Sequence, residues 1–400
     1  MRVALVHPHF RRSSSLERDT VLLASGLVAT GAEVHVYCDP ATRTADQAGV
    51  TFHDVRPVRL GDEPASSRLG HPLERATFAR AATHALRRDR ALYDVVDVRQ
   101  TGAWEHDVVT VHGVVAEMQR RWPDETGQVY RAAGLRAAAA PVLRPQIAVD
   151  RAIQARQLRP GRFRRVIAVT DKVRDDLARA HGVEPALVDV VPPPVDLGRI
   201  RRARPSGIRS SLGLSPDDPV VLFVGHGFQR KGLDRLVEAL AGVPEAQLVV
   251  VGAGDAAGVM RSTADQLRRR VHFVGGVDDP ERYYAEADLL ALPTRSDPWG
   301  IPLIEAMAAG LPVITTRFAG AADVLAEAGA GIVLPDESPA RLREALLALI
   351  RDSDRRRALG AHGPAAAEPF GPDAHAAAVL ETYRRALADA DPRRDGLLVS

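Results

Sequence analysis

Lys231 is one of only two lysines among the 53 basic residues of this 400-residue chain, and it lies in the segment VLFVGHGFQRKGLDRLVEAL. An apolar run, Val221 to Val224, gives way to a glycine loop with Gly225 and Gly227, then to Arg230, Lys231 and Gly232, and then to a helical stretch. Glycine lets backbone N–H groups close on an anion, and a helix start adds the positive end of its dipole. Arg230 offers a fork of donors and Lys231 a point charge at the same spot. That combination suits a diphosphate. It is not a P-loop, because GxxxxGK[ST] is absent. A merely solvated basic pair would oppose the helix dipole and gain nothing from this position.

A second segment, LPTRSDPWGIPLIEAMAAGLPVITT, is more specific. Its pattern predicts a strand ending at Pro293, a loop with Asp297 and Gly300, and a helix over 301–309 that is apolar on every side except at Glu305. A helix without a polar face is a buried one. A carboxylate inside it is costly unless something meets it, and no local residue is placed to do so. The hydroxyls of a ribose or hexose would, and a distant arginine is the alternative.

These residues need a frame that brings loops to one edge. Short β-branched runs alternating with helical stretches argue for βαβ units and parallel sheets. Strands are predicted over 3–7, 33–38, 50–55, 93–98, 107–112 and 166–170, with a helix over 16–30 stopped by Gly31, which makes a six-strand doubly wound half. Pro192, Pro193 and Pro194, followed by Arg199, Arg201, Arg202 and Arg204, break the pattern and read as a linker. A second series follows over 220–225, 247–252, 271–274, 288–293, 312–316 and 331–334, then helices over 342–350 and 374–387. The expected division is therefore 1–195 and 196–370, with a helix at 371–390 packing back on the first domain and a tail at 391–400. Ligands bind open α/β sheets at the C-terminal ends of their strands, so two such domains should face a common cleft.

Composition narrows the class. With 46% hydrophobic residues and a formal charge of +2, each domain can fill a core and no bulk positive charge draws in nucleic acid. A single cysteine, Cys38, rules out an intramolecular disulfide. The first residues read as no signal peptide and no apolar run approaches a membrane span, so a cytoplasmic protein is expected. Residues 119–165 hold eleven arginines against three acidic residues, with Trp122, Tyr130 and Phe163 between them. That segment is a candidate for peripheral contact with an anionic membrane, weighed against an ordinary solvated face.

The motif DPWGIPLIEAMAAGLPVI resembles the E-x7-E signature of the family-4 retaining glycosyltransferases of the GT-B fold, and GHGFQRKG resembles their Arg-Lys phosphate motif. The N-terminal MRVALVHPHFRRSSSLERDTVLLASGLVATGAEV is similar to the family's first strand, loop and helix. Within the family, F-x-R-K-G-L-D-R and L-E-R-D are most like the lipopolysaccharide-core glucosyltransferase I type. The resemblance implies a GT-B-like fold of two doubly wound Rossmann-like domains. It also implies retaining transfer of a hexose from a nucleotide sugar, taken as a UDP-hexose, to a glycan, lipid-linked or small-molecule acceptor. No cofactor or metal is implied, and no His/Cys ligand spacing argues for one.

Position by position, the resemblance gives Arg230 and Lys231 the diphosphate, Glu305 the ribose hydroxyls and Asp297 the hexose hydroxyls, with backbone N–H groups near Gly300 and Ile301 assisting. It places His112 facing the donor sugar, with a satisfied histidine at a strand end as the alternative; Asp19 is a candidate for the acceptor contact, with a cap on the helix surface as the alternative. Asp297 stands where most members have Glu, and Ser14 and Ser15 stand where members carry Gly-Gly under the diphosphate, which would narrow the donor site. Rival readings are a sugar-nucleotide epimerase on the same fold and a non-catalytic partner protein. A dehydrogenase, suggested by Gly252, Gly254 and Gly258 with Asp278 as the ribose acid, has the wrong glycine spacing. Asp297 and Glu305 as a glycosidase pair are poorly arranged, because one precedes a buried helix and the other lies inside it.

Overall fold

The computed structural model describes residues 1–11, 15–44, 47–59, 70–121, 145–254, 256–260 and 265–389. The chain divides into two compact units, Met1–Pro194 with Pro372–Ser400, and Val195–Gly371.

In the first unit, seven strands form one sheet: β1 (Arg2–Val6), β2 (Glu33–Cys38), β3 (Val50–Asp54), β4 (Val95–Arg99), β5 (Val108–Val111), β6 (Arg165–Ala168) and β7 (Val188–Val190). Their order is β3-β2-β1-β4-β5-β6-β7 and every pairing is parallel. The order turns back at β1, the topological switch point of a doubly wound sheet. The expected six strands become seven because β7 is a three-residue edge strand with Asp189 at its centre, too short and too polar to show a period. On one face, Leu23, Leu27 and Val21 of the helix Ser15–Ala29 pack with Val379, Tyr383 and Ala386 of the helix Pro372–Ala388. Gly26 marks their contact, since a Cβ there would lie 2.6 Å from the Ala376 Cβ.

The second unit repeats the plan with β8 (Val220–Val224), β9 (Gln247–Val251), β10 (Val271–Gly275), β11 (Leu289–Leu292), β12 (Val313–Thr316) and β13 (Gly331–Leu334). The order is β10-β9-β8-β11-β12-β13, again all parallel. The basic run after the three prolines is no linker. It is the helix Leu197–Arg202, capped by the Asp196 side chain, with Arg199 ion-paired to Glu281.

The apolar helix Ile301–Ala308 is buried along its whole length. Its cover includes the helix Ser353–Ala367, which the sequence pattern does not announce because Pro364 and two glycines interrupt it. Those glycines allow close approach. A Cβ at Gly360 would lie 2.2 Å from the Gly310 carbonyl oxygen, and one at Gly363 2.5 Å from that of Met307. Among the described residues, no helix is long and apolar enough to cross a membrane.

Candidate functional sites in the two units

In the second unit, β8 ends at Val224 and the chain turns twice before the helix Leu233–Leu240 begins. Lys231 N–H donates to the Gly227 carbonyl at 3.1 Å, and Gly232, in the left-handed conformation, caps the helix. Arg230 and Lys231 thus lie in the turn before the helix, outside its first turn. Gly232 is fixed twice over, by a φ of +79° and by the Pro293 carbonyl oxygen, which would stand 2.0 Å from an added Cβ. Gly232→Ala is therefore expected to lower stability by about 2–3 kcal/mol and to displace Lys231, read by urea unfolding beside nucleotide titration.

Residues 294–297 stitch to this turn. The Arg230 carbonyl accepts from Arg295 N–H at 2.9 Å and from the Thr294 hydroxyl at 3.2 Å, while Arg230 Nη1 donates to the Ser296 carbonyl at 2.7 Å. Lys231 Nζ pairs with Asp297 Oδ2, and both residues are only 7% exposed. Burial pushes the Asp297 carboxyl up, but Lys231 and Arg230 pull harder and leave it below its ordinary range. Burial draws Lys231 below its ordinary value while Asp297 pulls the other way. Both groups assigned to the donor are thus gathered in one ion pair.

Gly300, at a φ of +98°, caps the helix Ile301–Ala308, which places Glu305 one turn in and buried. No local partner for Glu305 was evident in the sequence. The structure supplies Tyr284, whose hydroxyl donates to Glu305 Oε2 at 2.8 Å from the helix Glu281–Tyr284. The dinucleotide alternative gains a plain structural explanation instead: the space a Cβ at Gly252 would fill holds the Gly225 carbonyl oxygen, 2.0 Å away.

In the first unit, His112 follows β5 and its Nε2 lies 2.7 Å from Asp19 Oδ2. Asp19, expected against the acceptor, is fully buried and turned toward His112 and Arg99. Arg99 Nη2 donates to the same Oδ2 at 2.5 Å, and His375 Nε2 stands 3.5 Å from Oδ1. Burial pushes the Asp19 carboxyl up, yet Arg99 and then His112 hold it far below the ordinary carboxylate range. Asp97 is the reverse case. Burial raises it against the pull of Arg99 and of Tyr383, whose hydroxyl donates to Asp97 Oδ2 at 2.8 Å.

Arg99, Tyr383, His375 and Tyr284 were missed by sequence reasoning. Arg99 alone left a signal: with Asp97 it puts two charges at period two in the apolar run of β4, on one face of the sheet. Gln100, which follows, is the one non-glycine residue at positive φ (58°) among those described, a conformation that costs about 1 kcal/mol.

Ser14 lies outside the described residues. Ser15 opens the helix Ser15–Ala29, but its side chain lies outside the description. Of the basic segment 119–165, residues 122–144 are likewise outside it. Arg164 and Arg165 are ion-paired, to Asp107 and Asp389, and Arg156 lies 4.6 Å over the Trp104 ring.

Residues 16–199 match the family described as Glycosyltransferase Family 4, and residues 207–365 match Glycosyl transferases group 1. The chain carries the paired domains of these glycosyltransferase families on the GT-B fold. Among individual proteins it is similar to the crystal structure of WaaG, a glycosyltransferase involved in lipopolysaccharide biosynthesis, with TM-score 0.73 and 26% identity over 96% of this chain and 98% of that one. It is 33% identical over 235 residues to a D-inositol 3-phosphate glycosyltransferase of Segniliparus rotundus, 56% of this chain and 52% of that protein. The fold is also that of Anabaena Alr3699/HepE, solved with UDP and glucose, at TM-score 0.64 and 18% identity over 96% and 99% of the two chains. The chain spans about half the length of the curated relatives it matches.

Proposed function

We propose that this protein is a retaining hexosyltransferase that moves a hexose from a nucleotide sugar, a UDP-hexose, to a hydroxyl of a glycan, lipid-linked or small-molecule acceptor. The observation that carries the reading is the buried Lys231–Asp297 pair, stitched by Arg230 to the loop that leads into the Glu305 helix. The turn and the loop thereby hold two cations and a carboxylate together. The names of the relatives support transfer of a sugar, and the UDP and glucose solved with HepE support the donor class.

In this reading the donor diphosphate takes the ammonium of Lys231 and the guanidinium of Arg230, and Asp297, so released, accepts from the hexose hydroxyls. Glu305, steadied by Tyr284, accepts from the ribose. The bond from C1 to the phosphate oxygen breaks as the acceptor oxygen bonds C1 on the same face. The acceptor proton passes to the departing phosphate oxygen, so the reading names no protein base. Two fixed cations stabilise the charge that grows on the diphosphate, which a metal would otherwise do. We therefore propose a metal-independent reaction, placed in the cytoplasm.

The test is thermal stability with UDP, GDP, dTDP and ADP in turn, with and without EDTA. A ligand at about 100 times its Kd adds about 2.7 kcal/mol to the folded state. Selective stabilisation by UDP, unchanged by EDTA, is expected. No shift with any nucleotide overturns the reading in favour of a non-catalytic partner protein. Conversion of the UDP-hexose without an acceptor overturns it in favour of an epimerase.

A further inference from the structure

We infer that Asp19 is a positioning residue that locks the His112 proton on Nε2, so that Nδ1, faced by the Gln100 amide, is the atom the ring offers. His112 Nε2 lies 2.7 Å from Asp19 Oδ2, and a carboxylate only accepts, so the proton on that contact belongs to the ring. Arg99, 1% exposed and donating to the same oxygen, keeps Asp19 an anion in a place water does not reach. On the other side of the ring, Gln100 Nε2 lies 3.4 Å from Nδ1. An amide NH2 donates, so Nδ1 is the acceptor.

Two features show that this arrangement is held in place. Gln100 keeps a backbone conformation that side chains other than glycine avoid, while its own N–H donates to the Thr110 carbonyl at 2.8 Å. Strain of this kind persists where the surroundings over-determine it, and it clusters at working sites. Asp19, in turn, is met from a distant part of the chain. His375, on the C-terminal helix, donates Nδ1–H to the Pro192 carbonyl at 2.8 Å and stands 3.5 Å from Asp19 Oδ1. No hydrogen bond joins that Nε2 to the carboxylate, but the ring stands against its far oxygen, so rotation of Asp19 would meet it.

The consequence for a ligand is directional. The Gln100 contact is long for a hydrogen bond, so a hydroxyl can replace it, and His112 then receives a proton-bearing group and rejects a bare acceptor. For transfer, which rests on the glycosyltransferase reading, His112 contacts the sugar through Nδ1 and Asp19 acts only through the ring.

The experiment is nitrogen NMR of histidine-labelled full-length protein at pH 7.5, with the His112 signals assigned by their loss in His112→Ala. The expected result is a protonated Nε2 and an unprotonated Nδ1. Gln100→Ala should move the Nδ1 signal and leave the tautomer, whereas Asp19→Asn, whose amide can donate as well as accept, should mix or reverse it. Asp19→Asn should also lower kcat about 10- to 100-fold with the donor KM changed less than about threefold. A His112 protonated on Nδ1 in the wild type, or signals unmoved in Gln100→Ala, overturns the proposal even if Asp19→Asn fails to fold. The expected tautomer in a protein that transfers no sugar would uphold the lock and overturn the functional reading instead.

Discussion

Lys231→Ala should lower kcat about 10³-fold, the scale on which a fixed charge-stabilising donor acts on a reaction that builds negative charge. It should also cost about 3–5 kcal/mol of folding stability, because it strands the Asp297 carboxylate in a site only 7% exposed. The two losses have different origins and can be separated. In Lys231→Ala with Asp297→Ala no buried charge of the pair is left unpartnered, so most of the stability should return while transfer stays absent. Urea unfolding of the wild type, both single variants and the double variant gives the coupling between the two groups, and steady-state kinetics on the same preparations gives the activity. Wild-type turnover in Lys231→Ala would sink the assignment of the diphosphate. A double variant no more stable than Lys231→Ala would mean that the pair is not a closed unit.

This result would also tell how the pair works. If Lys231 served only to neutralise Asp297, the double variant would transfer no worse than Asp297→Ala alone. The proposed role requires the Lys231 cation itself, in addition to Arg230, whose guanidinium also donates to the Ser296 carbonyl at 2.7 Å.

What was legible beforehand follows a physical divide. β2 and β13 appear with the bounds the pattern predicts, Glu33–Cys38 and Gly331–Leu334, because each is a short run with β-branched residues closed by turn or breaker residues. The helix around Glu305 was legible for the same reason, since its lack of a polar face could only mean burial. β7 was not, since a three-residue strand acquires its identity from its neighbour β6 and not from its own sequence. The candidate site divides likewise. Lys231, Asp297 and Glu305 stood out by type and spacing, but the pairing of the first two and the Tyr284 partner of the third did not. The Asp97–Tyr383 bond spans 286 positions and the Glu305–Tyr284 bond joins a helix to a separate four-residue helix. Nothing local encodes such meetings. Asp19 was legible only as a residue of the first helix, and the fold alone reveals the Arg99 and His112 gathered around it.

Acid should unfold this protein well above the range where its carboxylates titrate. Burial is the main cause that draws His7 down to about 3, His106 to about 4 and His375 to about 4, from an ordinary 6.5. A histidine whose folded pKa is depressed takes up its proton first in the unfolded chain. Its stabilising contribution is complete above about pH 6.5 and is lost as the pH falls from there toward 4. At pH 5 each of the three has forfeited about 2 kcal/mol relative to neutral pH, so together they remove several kcal/mol, a large share of the usual margin of a folded domain. The depressed carboxylates Asp19 and Asp297 add their own loss only at lower pH, as the pH falls below the ordinary carboxylate range near 3.8. Urea unfolding at pH 7.5, 6 and 5 should therefore show a slope approaching three protons between the last two points, and His106→Leu should reduce it by about one. Stability that stays level from pH 6.5 to 5 would show that these three rings are not held neutral by the fold.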